Sequence, residues 1–335
     1  MPIKTDLEEQ CHKILEEKGG KIADEARTIL LKEKSLTGLR RPLEYISENW
    51  RDPATPSLIV LSCEAVGRKP DKATYQAALA MTLMNLSLNL WDDLVDKTMY
   101  KGFVPTVLGK FGEGATLMIG GLASAKAFLI LSEMKVDEIK RQTVNRLVWN
   151  YLKKLAKAEA IELELRRRSD VSPEEKLRVI KIQAISLETS SKIGALLGNG
   201  SQEEMKHIGK YAKYLSTILD LRKDFNVSIN LTLELTEKIR SGALPYTLLW
   251  AKNRSKKLRE YLPLLGDTIK PVDIKNIVEA VLEKKALENT IRLLKTLTKK
   301  SEIELLQLKS NETTKMLKFF LETQSQIFME SLSTL

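Results

Sequence analysis

Residues 81–91, Met-Thr-Leu-Met-Asn-Leu-Ser-Leu-Asn-Leu-Trp, carry no charge and run directly into Asp92-Asp93-Leu94-Val95-Asp96. The run is rich in leucine and methionine, which favour helix. A helix this free of charge must be buried, so the chain is committed to a helical core with carboxylates at one end of a central element. On a helix, Asp92 and Asp96 stand at i and i+4 and share a face, with Asp93 flanking it. Carboxylates this close repel one another, and at a helix C-terminus the dipole disfavours them further. A divalent cation offsets that cost. Hard Mg²⁺ prefers oxygen ligands and is usually held by one or two carboxylates together with substrate phosphates. Taken alone, the same residues also describe a solvated acidic helix end.

Nearly every other segment reads as helix. Apolar residues recur at three-and-four spacing over 14–31, 72–91, 136–165, 177–197, 205–219 and 301–332, and period-two alternation is scarce. Gly19-Gly20 and the stretch 51–56 interrupt or separate the early helices. Ser172-Pro173-Glu174-Glu175 is a capping signal with proline at the first helical position. Gly198-Asn199-Gly200-Ser201 ends one helix and caps the next, and 267–271 is another turn. There is no repeat at a solenoid period and no linker rich in proline or serine. The expectation is one all-α domain over 1–335.

Composition excludes several function classes. The chain is globular, with 43% hydrophobic and 29% charged residues. Its net charge of +10 is scattered, with acids beside each basic stretch, so no nucleic-acid arm is present. That balance suits small polyanionic substrates such as diphosphates. Cys11 and Cys63 are far apart and outside any CxxC, which suits reduced thiols in a cytoplasmic setting. The first residues do not spell a signal peptide. The longest apolar stretches, such as 114–125, read as too short and too rich in glycine to span a bilayer. With only His12 and His207, both read as surface residues, histidine-based zinc or triad chemistry is not expected.

A second acidic pair, Asp220-Leu221-Arg222-Lys223-Asp224, comes after the apolar stretch 214–219 and again places carboxylates at i and i+4. A surface helix with local ion pairs is one account of it. Two acidic helix ends facing each other would instead make an acidic mouth over an apolar cavity. With this second motif the chain resembles the trans-isoprenyl diphosphate synthase (polyprenyl synthetase) family, from about residue 40 to 251. Asp92 to Asp96 is similar to that family's first aspartate-rich motif. Gly102-x-x-Pro105-Thr106, Phe111-Gly112 and Gly120-Gly121-Leu122 resemble the segment immediately C-terminal to that motif. Gly38-Leu39-Arg40-Arg41-Pro42-Leu43 resembles the end of the basic motif that grips the homoallylic diphosphate. Residues 193–198, Tyr211-Ala212 and Asp220 to Asp224 resemble the run into the second aspartate motif, and 242–245 the stretch beyond it.

The resemblance implies a helical bundle around a central cavity, the class I isoprenoid synthase fold, usually a Mg²⁺-using homodimer. Asp92, Asp93 and Asp96 would hold one Mg²⁺ cluster and Asp220 and Asp224 another. Arg40, Arg41, Lys101, Lys181, Lys192 and Lys223 are the basic candidates for the diphosphates. The implied reaction joins an allylic diphosphate to isopentenyl diphosphate. Mg²⁺ and basic side chains stabilise the leaving diphosphate, and an apolar pocket shelters the allylic cation from water.

The chain also departs from the family pattern. Gly38 and Leu39 stand where a Lys-Arg pair is expected, Asn85 where a histidine is, and Tyr100-Lys101 where paired arginines are. Leu221 replaces the second aspartate of the second motif, unless Lys223-Asp224 is in register and Val227 occupies the last position. The central lysine–threonine motif has no clean match, with Lys181 nearest by spacing and Lys192 the other candidate. Ala243 replaces a lysine, for which Lys238 or Arg240 could reach in. Three readings are open: an active elongase, a class I terpene synthase that never binds isopentenyl diphosphate, or a catalytically weak partner subunit. Aromatics are only 6%, and 220–234 does not spell the second cyclase motif, which favours the elongase. The face shared with Asp92 carries Leu88, Met84 and Met81, with Ser87 beside it. No bulky aromatic floors the pocket there, so the expected product is C20 or longer. Contact with membranes is expected to be peripheral at most, through that apolar product.

Overall fold

A computed structural model describes residues 6–33, 35–229, 233–262 and 271–333, which are almost wholly helical. In chain order the helices are α1 (Asp6–Leu15), α2 (Lys21–Thr28), α3 (Arg40–Asn49), α4 (Ala54–Ala65), α5 (Lys72–Asp96), α6 (Val107–Ser132), α7 (Glu138–Leu165) and α8 (Pro173–Gln183). They continue as α9 (Ile185–Leu197), α10 (Gln202–Ile229), α11 (Leu233–Arg240), α12 (Tyr246–Arg254), α13 (Lys256–Tyr261), α14 (Pro271–Val281), α15 (Lys284–Leu305) and α16 (Glu312–Ser333). Among the described residues the only strands are β1 (Tyr100–Lys101) and β2 (Val104–Pro105), an antiparallel hairpin after α5. The expected turn at 267–271 lies outside the described residues except for Pro271, which opens α14.

The chain forms two compact units. The first comprises 1–149, 187–210 and 304–323. Its centre is α5, opened by a reciprocal cap in which Asp71 accepts the Thr74 N–H at 2.9 Å. Met81, Leu83, Met84 and Leu86 of the uncharged run are fully buried. Helix α9 lies so close to α4 that a Cβ on Gly194 would stand 2.2 Å from the Ile59 carbonyl oxygen. Gly19-Gly20 does not break the chain's helical course. It forms a π-turn over Glu16–Gly20 between α1 and α2, and residue 19 is glycine where a Cβ would meet the Pro53 carbonyl at 2.5 Å. The second unit comprises 150–186, 211–303 and 324–335. In it Leu235, Leu248, Ile277 and Val281 build one apolar cluster, and Phe225 packs on Phe328 with ring centroids 5.7 Å apart.

The capping signals at Ser172 and Ser201 form as the sequence indicates: each hydroxyl accepts the N–H of the third helical residue at 3.2 Å. Three expectations change. The periodic stretch 301–332 is two helices, because Asn311 caps α16 by accepting the Thr314 N–H at 2.8 Å. His207 is half-buried, with Nδ1 2.6 Å from Glu304. The apolar stretch around 114–125 belongs to α6, which is 26 residues long with a mean hydropathy of 1.6 over its most apolar window. It is thus long and apolar enough to cross a membrane. Ile119, Ala123, Ala127 and Ile130 nevertheless bury one of its faces in the first unit, and Gly112 breaks its backbone at φ +81°.

Candidate active site

The first acidic motif is the last turn of α5, as the sequence indicates. The helix ends at Asp96, and Lys97 closes it in the left-handed conformation at φ 52°. Asp92 is exposed, Asp96 half-buried, and Asp93, pointing inward, is 4% exposed. The hairpin explains why Asp93 tolerates burial. Gly102 at φ +62° turns the chain back, and the ammonium of Lys101 lies 2.7 Å from the Asp93 carboxylate. The hairpin is pinned at its base. Thr106 donates its hydroxyl to the Thr98 carbonyl at 2.7 Å and its N–H to Met99 at 2.9 Å, and Tyr45 donates to the Pro105 carbonyl at 2.5 Å. Lys101 thus matches Asp93, and Asp92 and Asp96 stand on the more exposed side of the helix end.

Beneath the hairpin lies a cavity of about 290 Å³ whose polar lining includes Asn49, Asn89, Asp93 and Lys101, with Tyr45 and Trp50 among its apolar walls. Arg41 is exposed on the first turn of α3, four residues before Tyr45, where the helix dipole and side chain both favour an anion. Arg40 is turned elsewhere, paired with Glu44 at 2.8 Å and donating to the Leu31 carbonyl at 3.0 Å. Asn85 donates to Thr55 Oγ1 at 2.6 Å and to Asp52 at 3.3 Å.

The second acidic motif sits in the second unit. Asp220 and Asp224 were expected at a helix end, but α10 continues past both to Ile229, so the helix terminus does not act on them. Burial pushes the Asp220 carboxyl up to about 6, Lys223 and the Ser216 hydroxyl pull it down, and the Asp224 charge adds to the rise. Burial likewise raises Asp224, against the pull of Lys176 and of the Tyr246 N–H, which donates to its carboxylate. Asp224 therefore caps the first turn of α12, where Pro245 offers no side-chain cap. In folded protein without divalent ions, Asp220 holds its proton to higher pH than in the unfolded chain. Stability should therefore fall as pH rises from about 4 to 6. Asp220→Asn is expected to flatten that slope and raise the urea midpoint at neutral pH; an unchanged slope in urea titrations would count against it.

The other basic candidates separate. Lys223 and Lys181 are exposed in the second unit. Lys192 lies in the first, paired with Glu188, its stem over Gly209. One lysine whose charge reaches the second motif is one that sequence reasoning passed over. Lys176 on α8 is 9% exposed and bonds Glu162 of α7 at 2.6 Å, while Gln183 donates to the other Glu162 oxygen at 3.1 Å. Its charge acts on both Asp220 and Asp224. A lysine in a Glu-Glu-Lys helix start gives no sequence signal of burial.

The donor chemistry of the α5 terminus fits Mg²⁺, since Asp92 and Asp96 supply hard carboxylate oxygens that share a face at the helix's negative pole. The polyprenyl synthetase family model matches residues 38–230, more than half the chain, and the chain belongs to that family. A geranylgeranyl diphosphate synthase of Methanosarcina mazei is 24% identical over 198 residues, 58% of this chain and 60% of that protein. The chain matches less than two thirds of the length of the first such relatives. The structure of a geranylgeranyl pyrophosphate synthetase from Pyrococcus horikoshii superposes with a TM-score of 0.83 at 21% identity, covering 96% of this chain and 99% of that one. A Caulobacter crescentus polyprenyl synthase in complex with calcium and isoprenyl diphosphate gives 0.83 at 16% identity, with 97% and 99% covered. These likenesses establish the all-α class I isoprenoid synthase fold.

Proposed function

We propose that the chain is a Mg²⁺-dependent prenyltransferase that extends an allylic diphosphate with isopentenyl diphosphate, giving a product of C20 or longer. The observation that carries this is the end of α5, where Asp92 and Asp96 share a face and Lys101 is held on Asp93. Family membership and the names of the relatives support it. In this reading Asp92, Asp93 and Asp96 hold one Mg²⁺ cluster. Asp220 holds metal at the second motif, with Asp224 contributing less because it also caps α12. Bound Mg²⁺ supplies Lewis-acid neutralisation of the leaving diphosphate.

The chain's own groups do the rest. Lys101 and Arg41 bind diphosphate oxygens, with the N-terminus of α3 adding backbone dipoles. The cavity under the hairpin takes the isopentenyl group. The uncharged α5 face keeps water from the allylic cation, so the alkene is the nucleophile that reaches it. No protein nucleophile is required. The 1–335 chain works as one isoprenoid-synthase domain in the cytoplasm.

We further propose a homodimer. Leu117, Met118, Phe128 and Leu129 are each roughly half exposed on α6 and together make an apolar face. Leu117→Lys with Phe128→Lys is expected to yield a monomer by light scattering, and an unchanged mass would remove this face from the interface. Product length has its own test. Met81, Met84 and Ser87 are fully buried, but Leu88 is only half-buried, so Leu88→Phe has room to enter a growing-chain pocket. Shorter products from Leu88→Phe are expected, and an identical product distribution would sink the assignment.

The binding half of the proposal is tested without turnover. Mg²⁺ and pyrophosphate added together should raise the melting temperature more than either alone, and Asp92→Asn should lose that gain. A gain preserved in Asp92→Asn would place the metal elsewhere. The one specific observation favouring a synthase that does not use isopentenyl diphosphate is cationic poverty. Arg40 is occupied by Glu44, and Lys101 is the one lysine or arginine in the cavity lining among the described residues.

A further inference from the structure

Two asparagines interrupt the apolar run of α5, and the fold uses only one of them. Asn85 is tied inward, donating to Thr55 at 2.6 Å and to Asp52 at 3.3 Å. Asn89 lies at the cavity under the hairpin, is exposed, and has no hydrogen-bond partner among the described residues. Asparagine is unfavourable inside a helix, because its amide competes with the backbone for hydrogen bonds. Among the described residues no contact of the Asn89 amide offsets that cost.

The other hydroxyl, amide and charged side chains of the lining are committed. Tyr45 donates to the Pro105 carbonyl at 2.5 Å, Asn49 to the Tyr45 carbonyl at 2.9 Å and Thr106 to the Thr98 carbonyl at 2.7 Å. Lys101 is held on Asp93. The helix defines where the uncommitted amide stands. Residues three and four apart are neighbours on a helix, so Asn89 sits one turn below both Asp92 and Asp93. It therefore lies between a carboxylate open to metal and the carboxylate that carries Lys101. Leu86 and Leu90 of the same stretch are buried and give the cavity an apolar wall. An apolar wall with an amide and an ammonium at its polar side matches a short branched hydrocarbon with an anionic head.

We propose that Asn89 is an acceptor-binding residue, its amide N–H donating to the diphosphate of isopentenyl diphosphate beside Lys101. This rests on the prenyl-transfer reading. A neutral donor suits the position. A lysine here would pair with the carboxylates three and four residues on and compete with metal for them, whereas an amide leaves them open.

The test is isothermal titration calorimetry of the full chain with isopentenyl diphosphate in the presence of Mg²⁺, comparing wild type with Asn89→Ala and Asn89→Leu. Both variants lack the amide, and leucine restores the lost volume. Each should bind about tenfold more weakly, the effect of losing one hydrogen bond to a charged partner. Their melting temperatures should stay or rise, since alanine and leucine favour helix. Wild-type affinity in Asn89→Ala would overturn the proposal by making the amide dispensable. Wild-type affinity in Asn89→Leu would overturn it by making volume the cause. The melting-temperature gain with Mg²⁺ and pyrophosphate reports the metal site separately. If that gain persists while both variants bind like wild type, the Asn89 assignment fails and the prenyl-transfer reading stands. If wild type binds no isopentenyl diphosphate, both fail.

Discussion

Asp92→Asn is expected to lower turnover of an allylic diphosphate by about a thousandfold, because it removes one carboxylate from the face that would hold the metal. The substitution keeps size and helix propensity, and Asp92 is exposed, so the fold should survive. Losing an anion at the negative pole of α5 should even raise stability slightly. The signature is therefore opposite in sign for the two measurements: activity collapses while the urea midpoint stays or rises. Asp93→Asn should behave differently. It strands Lys101 and leaves a buried amide where an ion pair stood, so stability should fall with activity. Equal losses of stability in both variants would mean that Asp92 is structural.

Lys176→Met is expected to cost about 3–5 kcal/mol of stability, because it leaves the Glu162 carboxylate buried without its ion-pair partner. Burial alone would push Glu162 up, but the charge and hydrogen bond of Lys176 outweigh it and hold the carboxyl below its ordinary value, with help from Lys238 and Arg166. Those two cations remain in the variant, which argues for the lower end of the range. A carboxyl with a depressed folded-state pKa stabilises above its unfolded pKa, and that contribution is lost on acidification below about pH 4.5. Lys176→Met should remove this acid-side contribution. Replacing both partners, as Lys176→Met with Glu162→Leu, should restore most of the stability. Urea denaturation of the two single variants and the double variant makes the cycle. Strictly additive losses would show that the pair is not coupled.

Much of this architecture is legible in the chain. An uncharged run can only be a buried helix, and its abrupt end in carboxylates marks where the core meets solvent. Ser172 and Ser201 announce helix starts because each has a glutamate three residues later that completes the cap. Other features escape for physical reasons. Periodicity passes through Asn311, since a cap turns the chain without breaking the apolar count. Gly19-Gly20 reads as a break, yet Gly19 serves close approach to Pro53 inside a continuing helical path. The Glu162–Lys176 pair consists of residue types that are usually solvated, and only tertiary packing buries them. Asp224 reads as a metal ligand, but the backbone of Tyr246 claims it too, a long-range contact that no local pattern encodes. Arg40 and Arg41 are equivalent in the sequence, and only the positions of Glu44 and Leu31 distinguish them.

The most direct test of chain elongation is incorporation of labelled isopentenyl diphosphate by the purified protein with Mg²⁺ and an allylic diphosphate, run beside Asp92→Asn. Label is expected in prenyl diphosphates of C20 or longer, abolished in the variant. Hydrocarbon or alcohol formed from the allylic diphosphate without label, or no turnover by the wild type, would contradict it.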